Sequence, residues 1–123
     1  MEAWKNTIKL GNQHFANNEL ASALAVYKTA QVFAEDLFYH WSNAEEAVSA
    51  VVVTYLNIAD LYNKQGAVCS ATTTLQKIHR MLLRELASTE SDSQRHTALY
   101  RGSMKTHIAL MAHKRCHLSP TLH

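Results

Sequence analysis

Asn57-Ile58-Ala59-Asp60-Leu61-Tyr62-Asn63-Lys64-Gln65-Gly66, followed by Ala71, Leu75 and Ile78, is the stretch that decides the fold. Moved back by 48 positions, Ile58, Ala59, Tyr62, Gly66, Ala71, Leu75 and Ile78 fall on Leu10, Gly11, His14, Asn18, Ala23, Tyr27 and Ala30. Small residues recur where two helices would cross closely, larger ones where the space between them must be filled, and Gly or Asn where the chain turns. That spacing predicts a helix–turn–helix unit present twice.

Working outward, the periodicity predicts five helices. Helix 1 covers about Ala3 to Ala16, with Trp4, Ile8 and Phe15 apolar, and Asn17-Asn18 ends it. Helix 2 begins near Glu19 and carries Ala23, Tyr27, Ala30, Ala34, Leu37 and Trp41 at steps of three and four. Ser42-Asn43-Ala44-Glu45 reads as a capping box opening helix 3, which continues to about Lys64. Helix 3 has two apolar stripes, Val48, Val51, Tyr55, Ile58, Tyr62 and Val52, Leu56, Ala59, and so belongs at the centre. Helix 4 follows Gly66 with Val68, Ala71, Leu75, Ile78, Leu82 and Leu86, and this buried helix is expected to cover Cys69. After a loop at Ala87 to Glu90, Ser91-Asp92-Ser93-Gln94 offers a second capping box. It opens helix 5, which extends to about Ala112 with Leu99, Met104, Ile108 and Met111 as its buried side. Residues 1–114 form one all-α domain, and the patternless tail 115–123 is expected to fray.

These residues resemble tetratricopeptide repeats over about residues 4–86, with His14 replacing an aromatic and with lengthened second and third helices. The resemblance implies antiparallel helical hairpins stacked as a short right-handed superhelix, helix 5 capping the end. It also implies a protein–protein interaction module, an adaptor or chaperone-like scaffold, whose first and third helices line a concave groove for a peptide or protein. By position that groove would present Lys5, Lys9, Asn12 and Phe15 from helix 1, and Leu56, Asn57, Asp60 and Lys64 from helix 3. Asn12 and Asn57 fall on two positions that clamp a peptide carboxylate in some relatives, while Ile8 stands where the clamp's first lysine would be. Packing leaves Asn12, Asn57 and Lys64 free, so their removal is expected to spare the fold. With so few repeats, an uncovered edge is expected to make the chain a homodimer.

Composition narrows the rest. With 47% apolar residues, 3 Gly and 1 Pro in 123 residues, the chain suits a single helical core. No apolar run is long enough to span a bilayer, and two cysteines build no disulfide framework, so a cytoplasmic protein away from membranes is expected. Residues 1–93 carry 7 basic and 10 acidic groups, whereas 94–123 carry Arg95, Arg101, Lys105, Lys114 and Arg115 with no acid. This basic end is the alternative site, for nucleic acid or another polyanion. Tyr100 is its one aromatic, and no base-reading motif accompanies it. His107, His113, Cys116 and His117 lie close in sequence but lack a second cysteine at zinc spacing, so neither metal nor cofactor is expected. No HExxH, GxSxG or phosphate-binding glycine loop is present, and an enzyme is not expected.

Overall fold

The computed structural model describes residues 1–117, and these are all-α with no strand. The helices are α1 (Glu2–Ala16), α2 (Leu20–His40), α3 (Ala44–Lys64), α4 (Val68–Ala87) and α5 (Gln94–His117). Short connections fold consecutive helices into antiparallel hairpins, α1 with α2 and α3 with α4, and these stack side by side with α5 against the second.

The two hairpin turns are copies of each other. Asn18 and Gly66, 48 residues apart, both take a left-handed backbone, with φ of 61° and 78°. Around them the same bonds close the helix. Asn18 and Gly66 N–H donate to Phe15 and Asn63 carbonyls at 3.0 Å each, while Glu19 and Ala67 N–H donate to His14 and Tyr62 carbonyls at 2.9 and 2.8 Å. This is a Schellman closure, which satisfies carbonyls that a helix end would leave unpaired. Behind the turns, Ala23 and Ala71 are fully buried, and Tyr27 pairs by position with Leu75 and Ala30 with Ile78, all four of them buried. The repeat departs at its first position, where Ile58 is 1% exposed and Leu10 is 45% exposed.

Buried residues of α3 appear in every part of the core. Val48, Val51, Val52 and Tyr55 pack with Phe38, Ile78, Leu82 and Leu99. Ile58 and Leu61 pack with Ile8, Tyr27 and Ala30, and Ala59 packs with Ala71, Leu75 and Leu110. Polar groups tie the hairpins together where burial would otherwise leave them unpaired. Trp4 Nε1 donates to Thr54 Oγ1 at 2.8 Å. The Tyr55 hydroxyl accepts from Gln31 Nε2 at 2.9 Å and donates to Glu35 Oε1 at 3.0 Å, and burial helps push its pKa up to about 12.

Five expectations are corrected. Asn43, not Ser42, caps α3, its Oδ1 accepting from Glu46 N–H at 3.0 Å. Adjacent glutamates make both registers fit the capping spacing, and Glu46 is engaged by Trp41 Nε1 at 2.8 Å. Ser93, not Ser91, opens α5, accepting from His96 N–H at 3.0 Å. Cys69 is exposed, because Ala71 and Leu75 take the inward side of that turn. The helix continues through Arg115, Cys116 and His117, and the rest of the expected frayed tail, 118–123, lies outside the described residues.

The fifth correction concerns the face of α5. Leu99 is buried as expected, but Met104, Ile108 and Met111 are 43, 63 and 40% exposed. The inward side is instead built from Ala98, Leu99, Gly102, Ser103, Thr106, Leu110 and His113. Small residues let α5 approach α3 closely: a Cβ on Gly102 would lie 2.8 Å from Val48 Cγ1. Of the polar members, Ser103 donates to Tyr100 O at 2.7 Å within the helix, while Thr106 and His113 are bonded across the interface. His79 Nδ1 lies 2.7 Å from Thr106 Oγ1, and His113 sits between Thr72 Oγ1 at 2.8 Å and Asn63 Nδ2 at 3.3 Å.

A pH dependence follows from these two histidines. Burial, then the neighbouring His107, lowers the pKa of His79; burial, then His117, lowers that of His113. Protons therefore bind the unfolded chain more readily than the folded one. Stability is fully present above the ordinary histidine pKa of about 6.5 and is eroded as pH falls toward the lowered folded values. Urea midpoints measured at several pH values from about 7.5 down to about 5.5 should decline. His79→Gln and His113→Gln should flatten that decline, and a pH-independent midpoint in the parent would contradict the assignment.

Candidate interaction surface

The odd-numbered helices α1, α3 and α5 share one side of the stack, and shallow cavities lie along it. The largest, about 460 Å³, runs between α3 and α5 over Val48, Val52, Val53 and Leu56 on one wall and Gly102 and Met104 on the other. Glu45, Arg101 and Lys105 stand at its rim, and Arg101 Nη1 reaches Glu45 Oε1 at 3.4 Å. Next to it, sharing Glu45 and Ser49, a cavity of about 270 Å³ lies between α1 and α3. A third, about 230 Å³, occupies the far end of the α1–α3 crossing.

The expected groove residues are divided among these cavities. Lys5 lines the second beside Trp4, with its Nζ 3.8 Å from Glu2 Oε1. Asn12, Phe15, Asn57 and Asp60 line the third, and Leu56 lines the first. Lys9 and Lys64 are exposed and line none of the three. Burial raises the Asp60 pKa, and the Tyr27 pKa is raised by burial and then by the Asp60 charge.

Asn12 is not free, contrary to the reading from packing positions. Its Oδ1 accepts from the Tyr27 hydroxyl at 2.6 Å and from Asn57 Nδ2 at 3.2 Å. Tyr27 is 2% exposed, so the hydroxyl depends on this acceptor. Asn12→Ala should therefore lower stability by about 1–2 kcal/mol, the usual cost of a buried donor left without its acceptor. Asn57→Ala should lower it by less than about 0.5 kcal/mol. Equal urea midpoints for the two variants would contradict this division.

The five basic residues of the C-terminal end do not form one patch. Arg95 is built into the fold: its guanidinium lies 4.8 Å from the Phe38 ring, Nη1 donates to Phe38 O at 3.1 Å, and Nη2 is 3.7 Å from Glu85 Oε2. Arg101 meets Glu45, while Lys105 sits at the rim of the largest cavity. Lys114 is partly buried and Arg115 exposed near the end of α5. His113 points inward among its polar partners, and among the described residues no three His, Cys, Asp or Glu side chains gather to hold a metal.

The sequence reading missed Val53 and the outward side of α5. A signal for Val53 was present: three consecutive residues of a helix cannot all face one core, so Val51-Val52-Val53 leaves one valine outward. It is Val53, 37% exposed. No described helix is long and apolar enough to cross a membrane.

Residues 2–123 match the family described as protein of unknown function DUF2753, and the chain belongs to it. No curated protein and no solved structure matches the chain.

Proposed function

We propose that this member of the family is a protein–protein interaction module of tetratricopeptide-like construction, binding a peptide or protein segment along the α1, α3 and α5 side. One observation carries the reading. The largest cavity opens on that side and is floored by valine, leucine and methionine, with charges of both signs confined to its rim. An apolar floor supplies affinity on burial, while rim charges select orientation and partner. Polar anchors at Asn57 and Lys5 extend the same surface across α1. The exposed free cysteines Cys69 and Cys116 suit a reducing compartment, so the cytoplasm is the proposed setting.

A photo-crosslinking amino acid in place of Val53 tests the reading in native lysate. A defined adduct at that position, absent when the crosslinker replaces the exposed Arg80 of α4, is the expected result. Adducts at both positions alike, or at neither, would overturn it.

Self-association is proposed through a different face. Val32 on α2 is 69% exposed, with Lys28 four residues before it and Asp36 four after, both exposed. A two-fold antiparallel crossing at Val32 sets each copy's Lys28 against the other's Asp36. Sedimentation should give the mass of two chains for the parent and of one for Asp36→Lys. The charge-exchanged Lys28→Asp, Asp36→Lys double variant should restore the dimer. A parent of single-chain mass would contradict the pairing.

A further inference from the structure

The helix α5 is apolar on two opposite sides. One side packs on α3 and α4 through Leu99, Gly102 and Leu110. On the other, Tyr100, Met104, Ile108 and Met111 follow one another at steps of four, four and three and are 54, 43, 63 and 40% exposed. A helix apolar on two sides is one that packs on two sides. At 1.5 Å per residue this stripe is about 16 Å long, the scale of a helix docking by anchors three and four residues apart. Its two methionines can adapt to the shape of what covers them.

Charge identifies the occupant. The 24 residues of α5 contain no acid, and Arg101, Lys105 and Arg115 border the stripe. The Arg101–Glu45 pair is 65 and 74% exposed, so an incoming carboxylate can replace it at little cost. Lys105 and Arg115 have no ion pair among the described residues. A second copy of α5 is the wrong partner, because an antiparallel self-pairing sets Lys105 against its own counterpart with no acid nearby.

We propose that the outward face of α5 receives an amphipathic helix of a partner protein, its apolar stripe bordered by Asp and Glu. This rests on the interaction-module reading and extends the contact from the cavity wall at Tyr100 and Met104 around to the outward residues Ile108 and Met111.

Two synthetic helical peptides of about 18 residues test it. Both carry leucine at steps of three and four; one has Glu at the flanking positions and the other Lys. Titrated by fluorescence anisotropy into the full chain, the Glu peptide should bind at least about tenfold more tightly than the Lys peptide. Ile108→Glu and Arg115→Glu should each weaken it about tenfold, and Val53→Glu in the cavity should not. Ile108 and Arg115 are exposed, so thermal melts of the variants should stay near the parental temperature. Equal affinities, no binding, or binding indifferent to Ile108→Glu would overturn the proposal. Binding lost only with Val53→Glu would overturn it too, while leaving the module reading intact. So would a parent of double mass that becomes single in Ile108→Glu, since a second copy would then cover the face.

Discussion

Phe38→Ala is expected to remove about 3–5 kcal/mol of stability, the cost of deleting a fully buried aromatic ring and leaving a cavity. The Phe38 ring is 0% exposed and belongs to the core shared by α2, α3, α4 and α5. It also meets Tyr39 edge-on at 4.9 Å and lies beneath the Arg95 guanidinium. Losing the ring strips the apolar floor from a cation held to Phe38 O and Glu85, so the joint between α2 and α5 loosens with it. Against a total of about 5–15 kcal/mol for a domain, this is about a fifth or more of the whole. Leu83→Ala, at a position 44% exposed, should stay near the surface norm of about 0.5 kcal/mol. Similar urea midpoints for the two variants would show that Phe38 is not where the hairpins are joined.

Gly102→Leu is expected to cost about 3 kcal/mol, at the upper end of overpacking. Even a Cβ there meets Val48 Cγ1 at 2.8 Å, with Leu82 Cδ1 at 3.4 Å and Val52 Cγ2 at 3.5 Å. Replacing glycine inside a helix returns only about 1 kcal/mol of propensity. Since Val48 and Val52 also floor the largest cavity, forcing α5 away from α3 should weaken partner binding along with stability. A Gly102→Leu chain as stable as the parent in urea would show that α3 and α5 are not in close approach.

The hairpins were legible because each turn imposes a backbone requirement that few residues meet. Asn18 and Gly66 sit where the left-handed conformation is needed, and the alanines behind them, Ala23 and Ala71, sit where no larger side chain fits. The orientation of α5 was not legible from hydrophobicity alone. Leu99, Met104, Ile108 and Met111 satisfy helical spacing well enough to pass for a core stripe, and they are larger than their rivals. Ala98, Gly102 and Thr106 at steps of four were the competing signal, since only a stripe that small permits the observed approach to Val48. The buried polarity of His79, Thr106 and His113 was equally hidden, because each depends on a partner 27 to 50 residues away in sequence. For the same reason Asn12 looked free: its bonds to Tyr27 and Asn57 arise only once α1, α2 and α3 are assembled.

The proposed seat of a partner segment over the cavity between α3 and α5 is checked by the affinity of the Val53-crosslinked partner for the parent chain and for Val53→Glu, measured by calorimetry. Val53 is 37% exposed, so the variant should melt at nearly the parental temperature. Binding should be weakened at least tenfold, about 1.4 kcal/mol, by a carboxylate placed on an apolar floor. Equal affinity for parent and variant would contradict it.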